Sequence, residues 1–166
     1  MTALTSIPNR SVTPARVERD VASAEPIVAA VDGSEASRAA VEEAVNLAAD
    51  LQAPLVFAYV RRGPAGFFGS PFYQERLTAA NARARRVLDR ALWLASIAEV
   101  DAEAEILEGS PQRRIVEFAR HRNAQLVVMG SRRRRFGPSV ARAVTRAADR
   151  PVVIAAPRPP GLALAA

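Results

Sequence analysis

A doubly wound α/β sandwich built on a five-stranded parallel sheet is the architecture these 166 residues predict. Three observations carry that expectation. Two short runs, IVAAV at 27–31 and LVVM at 126–129, are apolar on both alternating phases, as strands covered by helices on both faces must be. Other segments repeat apolar residues at three- and four-residue spacing, the pattern of amphipathic helices. The two kinds alternate strictly as β-α-β-α-β-α-β-α-β, and elements of these lengths in that order wind a parallel sheet on both sides.

Residues 1–26 are rich in Ser, Thr, Pro and Arg and read as a disordered tail. The folded domain is expected over 27–157, with 158–166 as a flexible C-terminal tail. The first strand, 27–31, runs into Asp32-Gly33-Ser34, a turn with Ser34 as N-cap and Glu35 in the first helical turn. Ala40, Val41, Ala44, Val45, Leu47, Ala48 and Leu51 form the stripe of the first helix, and Pro54 separates it from a second strand at 55–60. Residues 61–72 are irregular, and helical periodicity resumes from Tyr73 through Leu88 to Ala98.

The third strand, 102–107, alternates polar and apolar residues, which fits an edge position with one wet face. Gly109-Ser110-Pro111 starts the third helix, with Ser110 at the N-cap and proline at the first helical position. Its inward stripe is Ile115, Val116 and Ala119. After the strand at 126–129, the last helix begins at Ser139, with Val140, Val144 and Ala147 or Ala148 inward and Arg142, Arg146 and Arg150 outward. The last strand is 151–155.

Composition narrows the chemistry. There is no cysteine and a single histidine, His121, so thiolate and multi-histidine metal centres are excluded. All 23 basic residues are arginine, which removes Schiff-base and phosphate-loop lysines. Residues 1–108 carry net −4 and residues 109–166 net +10, so a basic C-terminal third faces either solvent or an anionic ligand or partner. No apolar run is long enough to span a bilayer and the N-terminus lacks a signal-peptide core, so the expectation is a soluble cytoplasmic protein with no membrane association.

The first and fourth strands, the most apolar, are expected side by side at the sheet centre. The crevice beyond their C-terminal ends is the topological switch point where such sheets bind ligands. Asp32 and Gly130 fall there. So does GSRRRRFGPS at 130–139, where glycine suggests a phosphate cradle and four arginines equally suit a solvated turn or a grip on an acidic partner.

Taken in order, IVAAVDGSEASRAAVEEAVNLA, EGSPQRRIVEFARHRNAQLVVMGS and SVARAVTRAADRPVVIA resemble the universal stress protein family, over nearly all of 27–156. That resemblance implies an adenine nucleotide alpha hydrolase-like fold with strand order 3-2-1-4-5 and a role in cytoplasmic stress physiology. It also implies a homodimer paired through the last strand, Val152, Val153, Ile154 and Ala155. ATP-binding members resemble Gly-x2-Gly-x9-Gly-[Ser/Thr] after strand four, where backbone amides surround the phosphates. Here Gly130 matches the first glycine and Ser139, followed by Val140, the hydroxyl. Arg133 stands at the second glycine, Pro138 replaces the last and removes an N–H donor, and the segment is five residues short.

By the same resemblance Asp32 matches the acid near the ribose and phosphates. Val60 matches the strand-two end that meets adenine, and Gly109 the glycine of the third strand's exit turn. Arg132 and Arg133 are placed to replace missing amide donors with guanidinium forks. The ligand implied is ATP or another adenine nucleotide, with Mg²⁺ only alongside ATP.

Two functional readings stay open. One is a non-catalytic stress protein with an adenine nucleotide pocket. The other is a nucleotide-independent protein that docks a partner through 132–135 and the loop 63–73, GPAGFFGSPFY, which holds three Phe and one Tyr. Nucleic-acid binding through the basic third is the least favoured. No Ser-His-Asp or paired-carboxylate set can be assembled, so no turnover is expected beyond slow ATP hydrolysis. Trp93 shares a helix face with Arg86 and Arg90 and is expected to be partly exposed and stacked on arginine.

Overall fold

Strand and helix alternate along the chain: β1 (Ile27–Val31), α1 (Glu35–Leu51), β2 (Leu55–Arg61), α2 (Tyr73–Ile97), β3 (Ala102–Glu108), α3 (Pro111–His121), β4 (Leu126–Gly130), α4 (Val140–Ala147) and β5 (Val152–Ala155). The computed structural model describes residues 24–63, 72–131 and 139–156. The expected tails, Arg132 and Arg133 with the rest of 132–138, and most of the Phe-rich loop lie outside the described residues.

All strand pairs are parallel, in the order β3-β2-β1-β4-β5. β1 and β4 are adjacent, with Ala30 level with Met129, so the switch point lies beyond these two residues. Every residue of β1 is buried, which accounts for its unbroken apolar run. Ile27, Ala29 and Val31 join a core with α1 and α2 that includes Phe57, Leu88 and Ala95. Val28 and Ala30 join a second core with α3 and α4 that includes Ile115, Phe118 and Val144. Period-two alternation thus divides one strand between two helical layers. β3 sits at the edge and alternates between half-buried and exposed residues, as its sequence pattern requires.

Three details correct the sequence reading and one resolves an alternative in it. Ser110 occupies the N-cap of α3, but its side chain makes no cap hydrogen bond; Pro111 already removes one amide needing a partner. In α4 Ala141 and Val144 are buried and Val140 and Ala148 pack half-buried against the same core, while Ala147 is exposed, so Ala148 is the inward one of the two alternatives and Ala141 joins the stripe. Arg150 does not extend the Arg142–Arg146 row, since α4 ends at Ala147 and Arg150 folds back to donate to the Ala124 carbonyl. Trp93 is 59 % exposed, yet the cation–π contact among the described residues is Arg122 over Phe118, at 5.5 Å.

Candidate functional site

Beyond the C-terminal ends of β1 and β4, a cavity of about 230 Å³ opens on the α3/α4 side of the sheet. Its apolar lining comes from Ala30, Val31, Ala58, Met129 and Ile115. The polar contribution comes from Asp32, Ser34 and Ser37 on the β1–α1 turn, Arg62 after β2, and Ser139 before α4. Val60 and Gly130 close the wall.

The β1–α1 turn is fixed by three reciprocal hydrogen bonds. The Ser34 amide donates to Asp32 Oδ1 at 2.9 Å, and the Ser37 amide donates to Ser34 Oγ at 3.1 Å. The Asp32 amide donates to Ser37 Oγ at 3.0 Å, which satisfies a hydroxyl that is only 4 % exposed. Gly33, at φ +79°, supplies the left-handed residue that the turn requires. Asp32 therefore shapes the turn through one carboxylate oxygen while lining the cavity.

Gly130 is explained by packing alone. A Cβ built there would lie 2.1 Å from the Ala36 carbonyl oxygen, so the first turn of α1 rests directly on the end of β4. On the other wall, Ser139 Oγ accepts from the Arg142 amide and caps α4. The amides of Val140 and Ala141, both at the cavity, are first-turn groups without intrahelical acceptors. The N-terminal ends of α1 and α4 thus converge on one cavity, an arrangement that favours an anion.

The structure brings Asp32, Val60, Gly130, Ser139 and Val140 to one place. Gly109 does not line the cavity. At φ +132° its amide bonds the Arg61 carbonyl at 2.9 Å, and the turn it makes carries Pro111 and Ile115 into the wall. Sequence reasoning missed Ser37, Arg62 and Ile115 as lining residues. Arg62 was within reach of it, because 58, 60 and 62 share one phase of a strand; Ser37 was concealed in a buried helix stripe. Away from the cavity, Arg114 and Arg113 hold Glu117 below its ordinary range, and Arg120 does the same for Asp149. Among the described residues no cluster of three or more His, Asp or Glu could hold a metal ion, and no helix is long and apolar enough to cross a membrane.

A family model described as "Universal stress protein family" matches residues 24–156. The chain belongs to the universal stress protein family. A universal stress protein of Thermus aquaticus, named for its position in the 3′ region of a QAH/OAS sulfhydrylase, is 31 % identical over 106 residues, 64 % of this chain and 76 % of that protein. Universal stress protein UspA from Lactobacillus plantarum superposes with TM-score 0.72 at 28 % identity, covering 80 % of this chain and 97 % of that one. A universal stress protein in complex with cAMP gives TM-score 0.66 at 27 % identity over 81 % and 99 % of the two chains. One from Archaeoglobus fulgidus in complex with dAMP gives 0.65 at 25 % over 80 % and 98 %. The five-stranded sheet in the order 3-2-1-4-5 is the fold shared with these family members.

Proposed function

We propose that this universal stress protein works by binding an adenine nucleotide in the β1/β4 crevice, as a cytoplasmic, non-catalytic stress-response protein. The observation that carries the reading is the convergence of two helix N-termini on a cavity that also holds Asp32, Val60 and Ser139. Two family members were solved with dAMP and with cAMP, so adenine and one phosphate are common to both ligands. The residues present fit such a ligand. The apolar wall of Ala58, Met129 and Ile115 suits a base, and the amides of Val140 and Ala141 suit one phosphate.

A triphosphate is less well served. Pro138 lacks an N–H and the connection is five residues short of the ATP pattern, so β- and γ-phosphates lose backbone donors. Arg132 and Arg133 would have to supply guanidinium forks in compensation, and Mg²⁺ would enter only with ATP. Calorimetric titration with AMP, cAMP and ATP, together with analysis of nucleotide retained through purification, tests this. AMP is expected to bind at least as tightly as ATP, with weaker binding in Asp32→Ala. No heat with any of the three at millimolar concentration sinks the reading.

The rewritten connection favours one alternative, partner docking through 132–135 and 63–73 without nucleotide. In that case Arg132–Arg135 changed to alanine would leave nucleotide titrations unchanged and abolish capture of the partner.

A further inference from the structure

The opposite face of the sheet carries a second groove, of about 320 Å³, between α1 and α2. Val41, Val87 and Leu94 form its apolar floor. Arg38, Arg83, Arg86 and Arg90 stand around it, with Glu42 as the one acidic member of the lining. Elsewhere Arg61, Arg113, Arg114, Arg120, Arg122 and Arg150 are all ion-paired. Among the described residues the side chains of the four groove arginines have no ion-pair or hydrogen-bond partner.

Arg83, Arg86 and Arg90 occupy one stripe of α2 at i, i+3 and i+7. Steps of three and four residues continue that side of the helix to Trp93 and Ile97, which are 59 % and 62 % exposed. Apolar surface flanked by unpaired like charges lacks an anionic amphipathic complement.

We propose that the α1–α2 groove docks an acidic amphipathic helix of a partner protein, with apolar anchors over Val41, Val87 and Leu94 and carboxylates on the arginine stripe. Arg86 and Arg90 lie one helical turn apart, a rise of about 6 Å, which matches carboxylates one turn apart on a facing helix. A nucleic acid would engage the guanidinium groups but leave the aliphatic floor uncovered. The groove meets the nucleotide crevice only at Ser37, and docking does not depend on nucleotide.

Trp93 is the sole tryptophan and reports on this face without labelling. The probe is a synthetic, aromatic-free helix of about 18 residues, with Leu at i, i+3, i+4 and i+7 and Glu on both flanks. It is titrated against the full chain while Trp93 emission is followed, beside a Glu→Gln version of the peptide and a single-stranded DNA oligomer. The acidic helix should shift Trp93 emission, and its Gln version should bind about tenfold more weakly or worse. Arg86→Glu/Arg90→Glu should cost a similar factor with circular dichroism unchanged; Arg83→Gln/Arg86→Gln, which only removes charge, repeats the test if the reversal disturbs folding. No binding of the acidic helix, equal binding of its Gln version, indifference to both double variants, or DNA binding with the same arginine dependence would overturn the proposal.

Discussion

At Gly130 one hydrogen atom decides whether the sheet and α1 can pack. The Ala36 carbonyl that a Cβ would strike is backbone in the first turn of α1, and it cannot swing aside as a side-chain tip would. Gly130→Ala must therefore displace α1 from β4, and overpacking of this kind costs about 1–3 kcal/mol. A lowered urea midpoint with unchanged m-value is the expected result. Asp32→Ala should differ in kind. It loses the hydrogen bond from the Ser34 amide, an exposed contact worth about 0.5–1.5 kcal/mol, while leaving the Ser37–Asp32 backbone contact available. Nucleotide affinity in Asp32→Ala should fall more than stability does, whereas in Gly130→Ala the two should fall together. Measuring both quantities on both variants separates the ligand role of a residue from its packing role.

At the scale of elements, α3 carries arginine–carboxylate pairs whose strength depends on pH. Glu117 accepts hydrogen bonds from Arg114 Nη1 at 3.0 Å and Arg113 Nε at 2.8 Å, and these hold its carboxyl below the ordinary 4.5. Asp149, bonded by Arg120, is held below 3.8 and ties α3 to the end of α4. Both folded-state values lie below the unfolded ones, so this stabilisation is fully present above the unfolded pKa and is lost as pH falls through the folded pKa. Thermal melts of Glu117→Gln should show a small deficit against the parent chain at neutral pH, narrowing below about pH 4.5 and vanishing in stronger acid. A deficit that grew as pH fell would contradict the assignment. The same elements show what could be read in advance. β1 and β4 are legible because burial on both faces forces both phases to be apolar, and β3 because an edge strand must alternate. The phase of α4 is legible in Val140 and Val144, while the choice of Ala148 over Ala147 and the burial of Ala141 depend on the Ser139 cap and on contacts with α3 and β5 that residue spacing does not encode. Asp32 and Gly130 can be placed from topology, while Ser37 needs the turn geometry that buries it.

For the whole molecule, we expect the β5 edge of the sheet to govern how copies of the chain associate. Among the described residues β5 pairs with β4 on one side alone, and its four residues include Ile154, 41 % exposed on a strand that ends the sheet. An uncovered edge strand with an apolar side chain invites pairing, and a two-fold axis beside it would let two copies join β5 to β5. Val152, Val153, Ile154 and Ala155 would then line the seam, as the family resemblance implies. The opposite edge is unsuited to the same contact, because the exposed positions of β3 are Glu103, Glu105 and Glu108, charged side chains ion-paired with Arg122 and Arg61 rather than apolar ones. We therefore expect the chain to sediment as a dimer at micromolar concentration. Ile154→Asp should shift it to monomer with the circular dichroism spectrum unchanged, because in a single chain this side chain already faces outward. A parent chain that remains monomeric at high concentration, or an Ile154→Asp variant that remains dimeric, would move the interface away from β5.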